Sequence, residues 1–169
     1  MGVTIHFEGK LKDQAALEAV VQAAGAFAQA RGWRVEPISE VNAHLARVRD
    51  EEDWDYEGPT SGVEILPHGR CDPLRLEFDA DLYIQEYTKT QFAGPGVHEE
   101  VIALLRGLAP HFEMLQVDDE GEYWETSNGA LLGKHIEACN HALADELRKH
   151  PGAQGPVQIA ARRWVDILA

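Results

Sequence analysis

Polar and apolar positions alternate from the start of the chain. Val3, Ile5 and Phe7 alternate with Thr4, His6 and Glu8, the two-residue period of a strand with one buried face. Gly9 closes it. Asp13 stands where a helix cap belongs, and Leu17, Val20, Val21, Ala24, Phe27 and Ala28 follow at helical spacing. The pattern predicts a helix over about 13–31, stopped by Gly32. Trp33, Val35 and Ile38 start a second strand, which Pro37 pushes toward a sheet edge. Ser39 can cap a short helix over 39–50 carrying Val41, Leu45 and Val48, although a strand suits the same residues. RDEEDWDYEGPTSG then reads as an acidic loop.

Val63 and Ile65 begin a strand that Pro67 ends. Leu74, Leu76 and Phe78 alternate with Arg75 and Glu77. After the turn Asp79-Ala80-Asp81 the alternation resumes at Leu82 and Ile84, which predicts a hairpin over about 73–88. FAGPGVHEE runs into a helix whose stripe is Val97, Val101, Leu104, Leu105 and Leu108, ending at Pro110. Phe112, Met114 and Val117 make another strand, DDEG a turn and EYWET a short return strand. Ser127 caps a long helix over 128–149 with Leu132, Ile136, Cys139, Leu143 and Leu147 on one face. The last segment reads as a short helix through Val157, Ala161, Trp164 and Leu168, or as an edge strand at Val157 and Ile159.

Tight turns between strands make antiparallel pairs. The expected fold class is therefore α+β: a mostly antiparallel sheet with two or three main helices packed on one face. No linker or low-complexity tract divides residues 1–169, so one domain is expected.

Composition narrows the function. The 29 acidic and 15 basic residues give a net charge of −14, spread over both halves of the chain. A chain so acidic repels nucleic acid, which needs clustered Lys and Arg, and it repels anionic membrane surfaces for the same reason. No run approaches the apolar length of a membrane span, and the start lacks a secretory pattern, which points to the cytoplasm. Two cysteines do not make a disulfide framework. Nothing in the pattern fixes a subunit count.

Two metals suggest themselves, though no cofactor is required. DWDYEGPTSGVE places Asp53, Asp55, Glu57 and Glu64 at positions 1, 3, 5 and 12 of a calcium loop, with Gly58 at 6. The departures are Glu at position 5, Thr60 at position 8 and a strand-like exit, and the stretch also reads as a solvated acidic turn. For zinc, His135 and Cys139 are four apart on a helix, and HGRC supplies His68 and Cys71. Cys139 lies on the apolar stripe, where a free Cys simply packs well.

Catalytic signals are weak. Cys71 and His68 could pair as thiolate and imidazole. Glu122 and Glu125 have an odd spacing that separates them across a strand. His98-Glu99-Glu100 lacks the second His of a metalloprotease motif. More suggestive are aromatics set among acids: Trp54 and Tyr56 between Asp53, Asp55 and Glu57, and Tyr123 and Trp124 between Glu122 and Glu125. Rings supply contact area and carboxylates steer a basic partner. The reading that follows is a small acidic protein that binds a basic protein partner without catalysis, in an adaptor- or immunity-like role. The alternatives are a ligand-binding protein or enzyme with a site assembled from distant residues, and a calcium-binding protein using the loop Asp53–Glu64.

Overall fold

The alternation at the chain's start becomes β1 (Thr4–Leu11) in a computed structural model that describes residues 2–168. Ile5, Phe7 and Leu11 face inward and His6 and Lys10 face outward. α1 (Gln14–Ala30) follows, its first turn capped by the Asp13 carboxylate, which accepts the Ala16 N–H at 2.8 Å. Gly32 ends it with φ +69°, a conformation that suits a residue without a Cβ.

β2 (Arg34–Leu45) continues where a helix over 39–50 was one expectation. Val41 is 89% exposed, so no apolar stripe existed to bury a helix there. Pro37 is tolerated because β2 is an edge strand, where the missing N–H need not cost a ladder bond. The acidic stretch is not one loop. It forms a hairpin of β3 (Val48–Arg49) and β4 (Glu52–Asp53), turned by Asp50 and Glu51 at positive φ. β5 (Tyr56–Leu66) then begins well before Val63. Gly62 is required inside it: a Cβ there would lie 1.7 Å from the Leu76 carbonyl oxygen.

β6 (Leu74–Phe78) pairs with β5, and β7 (Tyr83–Lys89) leaves the Asp79 turn to pair with β1. α2 (Pro95–Leu108) and a 3-10 turn lead into β8 (Phe112–Asp119), which pairs with the other edge of β1. The strand orders are β7-β1-β8 and β2-β5-β6, all antiparallel. The expected return strand at EYWET is instead a single helical turn, α3 (Tyr123–Thr126). Asp119 causes this. Its carboxylate accepts the N–H groups of Gly121, Tyr123 and Trp124, winding the chain into a turn. α4 (Gly129–Lys149) is capped by Asn128 rather than Ser127. The final segment is no helix: it holds β9 (Val157–Gln158) and β10 (Trp164–Val165) around a 3-10 turn.

This is the α+β fold the pattern implied. The inward faces of both sheets meet α1 and α2 in one core that includes Ile5, Phe7, Val20, Leu76, Ile84 and Leu105. Each such side chain contributes about 1.5–3 kcal/mol when fully buried. α4 adds a smaller cluster, Leu132 and Ile136 against Val3.

One polar network is sealed in beside this core. His98 Nε2–H donates to Asp119 Oδ2 at 3.1 Å, since a carboxylate only accepts, and His98 Nδ1 lies 2.7 Å from Thr90 Oγ1. Hydroxyl, imidazole and carboxylate line up as in a nucleophilic relay. Thr90 and His98 are 0% exposed, so no substrate reaches them. The network instead ties α2 to β8 and α3.

Candidate functional site: an open-face cleft

The outward half of each strand's alternation makes the face away from the helices. On β1 this is His6 and Glu8. Register sets Tyr87 and Asp118 on either side of His6, and Gln85 and Gln116 on either side of Glu8. β6 adds Arg75 and Glu77. The segment after β2 forms one wall. Gln85 ties it to the floor, accepting the Val48 N–H at 2.9 Å and donating to the Val48 carbonyl at 2.8 Å. Asp53 and Asp55 extend this wall, and Ala161 and Arg163 of the C-terminal segment close the opposite side. The enclosed cleft holds about 790 Å³.

Arg47 anchors the wall. Its guanidinium is buried, donates to Asp79 Oδ2 at 2.7 Å and to the Tyr83 carbonyl at 3.2 Å, and lies over the rings of Trp54, Tyr56 and Tyr83. Asp79 also accepts the N–H groups of Asp81 and Tyr83.

Charge in the cleft is uneven. Six lining carboxylates face three lining guanidiniums. Each guanidinium is already met from within the chain: Arg47 by Asp79, Arg75 by Glu64 and Glu77, Arg163 by Glu86 and Asp72. The side chains of Asp53 and Asp118 are exposed and, among the described residues, their carboxylates have no hydrogen-bond or ion-pair partner.

Local fields shift several groups. Glu86 titrates above the usual carboxylate range because burial disfavours its charge, although Arg163 pulls the other way. Asp72 is raised by burial too, against the Trp164 N–H and Arg163. Burial alone would lower Arg163, but Glu86, Tyr87 and Asp72 together outweigh it and hold the guanidinium charged. At the wall, His44 is raised, chiefly by its hydrogen bond to Glu57 and then by Asp55. Its two ring nitrogens lie 3.1 and 2.9 Å from those carboxylates, so the imidazolium satisfies both. Tyr83 is raised by burial and by Glu8, to which its hydroxyl donates.

The residues singled out from the sequence are scattered. Asp53 and Asp55 line the cleft, with Trp54 half-buried beside them, edge-on to Tyr83 at 5.3 Å and covered by Arg49. The Tyr56 hydroxyl donates to the Pro59 carbonyl. Tyr123 and Trp124 sit on α3 at the other end of β1, their carbonyls held by Arg106. Trp54 contacts Tyr83, which pairs with Lys10, whereas α3 hangs from Asp119, which pairs with Ile5. Those positions are about 16 Å apart along β1, so the two aromatic pairs form separate patches.

The candidate calcium residues do not curl into one loop: Asp53 lies on β4, Asp55 between β4 and β5, and Glu57 and Glu64 on β5. Glu57 and Glu64 lie about 23 Å apart on β5 at strand rise, and Glu64 is bound to Arg75. The zinc set is likewise divided. Cys71 is fully buried, its Sγ donating to the Asp72 carbonyl, and burial pushes its thiol up to about 12. His68 is exposed and accepts the Arg70 N–H, His135 meets Glu122 at 2.5 Å, and Cys139 is half-buried on α4. Among the described residues no three His, Cys, Asp or Glu side chains are placed to hold a metal ion. The candidate acids lie outside the cleft, Glu122 at the N-cap of α3 and Glu125 within it. No described helix is long and apolar enough to cross a membrane.

Sequence reasoning missed most of the cleft. Glu86, Gln116, Asp118 and Arg163 carried no motif: strand pairing sets Gln116 and Asp118 beside Glu8 and His6, and a side-chain ion pair brings Arg163 to Glu86. The available signal was the polar half of the alternation at His6, Glu8, Arg75 and Glu77. Comparison of the chain with protein-family models, curated proteins and solved structures finds no match.

Proposed function

We infer that this is a non-catalytic binding protein whose open-face cleft takes a basic segment of a partner protein. The carrying observation is the charge balance of the cleft: its guanidiniums are neutralised internally while Asp53 and Asp118 stand free. A cationic segment supplies what these carboxylates lack, and the net charge of −14 steers it in. The adaptor- or immunity-like role fits this reading, with the Trp54 side of the cleft as part of the contact. Two free thiols suit a reducing cytoplasm.

A lysine- and arginine-rich peptide titrated by calorimetry tests it. Binding should weaken steeply between low and high salt, and Asp118→Lys should abolish most of it. Affinity that is flat in salt, or unchanged in Asp118→Lys, contradicts the reading.

A small polar ligand is the second reading. The cleft volume falls within the range of small-molecule sites, and its residues come from distant parts of the chain. Such sites place only a few polar groups, whereas nine of the 19 residues lining this cleft are Asp, Glu or Arg, which favours the basic segment.

A further inference from the structure

The last residues of the chain lie against the cleft as a strap. None of residues 150–168 belongs to either hydrophobic cluster. Regular structure is slight, and two non-glycine residues, Ala161 and Arg162, are left-handed at φ +56° and +58°, a conformation disfavoured for side chains. The strap is held mainly by polar contacts. Asp72 Oδ1 accepts the Trp164 N–H at 2.7 Å, and Lys89 meets Asp166 at 2.8 Å.

Arg163 is the centre of this hold. It donates to the Tyr87 carbonyl at 2.6 Å and to Glu86 Oε2 at 2.9 Å, and it lies 4.3 Å over the Tyr87 ring. Asp72 Oδ2 is 3.5 Å away. One buried and one partly buried carboxylate, a carbonyl and a ring face are what a planar, multidentate guanidinium requires and a lysine ammonium uses less well. Glu86 and Arg163 both line the cleft.

We propose that Arg163 is an internal occupant of a guanidinium subsite in the cleft, and that an arginine of the basic partner displaces it and releases the strap. The proposal rests on the reading of the cleft as a site for a basic segment. Binding is then a competition. The apparent affinity of wild type is reduced by the fraction of molecules whose subsite Arg163 already fills. The partner is selected for arginine over lysine.

The test uses the full chain with hexa-arginine and hexa-lysine peptides at low salt. Arg163→Gln should bind hexa-arginine about ten-fold tighter than wild type, with a smaller gain for hexa-lysine. In wild type, hexa-arginine should strip hydrogen-exchange protection from the Trp164 N–H. This second readout decides the matter should Arg163→Gln fold poorly. If wild type binds hexa-arginine while Arg163→Gln gains nothing and Trp164 stays protected, the subsite proposal is overturned and the cleft reading stands. If neither protein binds either peptide, both fall.

Discussion

Replacing Arg47 by Met should destabilise the protein by about 3 kcal/mol. The guanidinium is 2% exposed and its partner Asp79 6%, so their ion pair at 2.7 Å is screened little by water. Removing one member of a buried pair costs roughly 3–5 kcal/mol, because the other charge is left uncompensated. The lower end applies here. Asp79 keeps the N–H groups of Asp81 and Tyr83, and Met fills the volume of the arginine stem. A domain of this size has about 5–15 kcal/mol in hand, so the variant should fold. Its melting point should fall by about 6–12 °C, at roughly 2–4 °C per kcal/mol. Urea unfolding followed by tryptophan fluorescence measures the change. The double variant Arg47→Met, Asp79→Asn is the control. Asn still accepts the two N–H groups without a stranded charge, so it should be clearly more stable than the sum of the single losses. Less than 1 kcal/mol for Arg47→Met, or strict additivity in the double variant, would refute the claim that this pair clamps the cleft wall to the β6–β7 turn.

Three further outcomes are expected. Asp119 is buried, which alone would raise it, but the His98 bond and three N–H donors outweigh this and hold it below the usual carboxylate range. A depressed carboxylate stabilises the fold above its unfolded pKa and loses that effect as pH falls through the folded value. Asp119→Asn should therefore flatten the acid limb of stability against pH, and an unchanged limb would count against the network. His44, raised chiefly by Glu57, contributes below its ordinary pKa of 6.5 and loses that contribution as pH rises through the folded value. NMR titration should place its midpoint above that of an ordinary histidine, and Glu57→Gln should bring it back down. Cys71, at 0% exposure and pushed up to about 12, should resist a thiol reagent at pH 8 until the protein unfolds, and rapid native labelling would contradict its burial.

Local pattern made much of the fold legible. β1, α1 and α2 each carry a strong period of their own, and their stripes are the stripes that are buried. The misreadings fall where side-chain contacts, near or far along the chain, decide rather than a segment's own period. EYWET winds into α3 because Asp119 draws its N–H groups in, and the final segment is held out of a helix by Asp72, Glu86 and Lys89. β2 was ambiguous for another reason. As an edge strand with exposed Glu40, Val41 and Asn42 around a bulge, it lacks a clean alternation. The cleft shows the same division. Its polar floor residues could be seen strand by strand, but the register that gathers His6, Tyr87 and Asp118 is a property of the assembled sheet. Asp53 and Asp55 drew notice as metal ligands and as neighbours of Trp54; their place in the wall supports only the second association.

The most direct test of the cleft is an amide NMR map of the protein titrated with a basic peptide at low salt. Shifts gathered at Asp53, Gln85, Tyr87, Gln116 and Asp118, and reversed by salt, are the result this account predicts. Shifts centred on Tyr123 and Trp124 at α3, or none at saturating peptide, would contradict it.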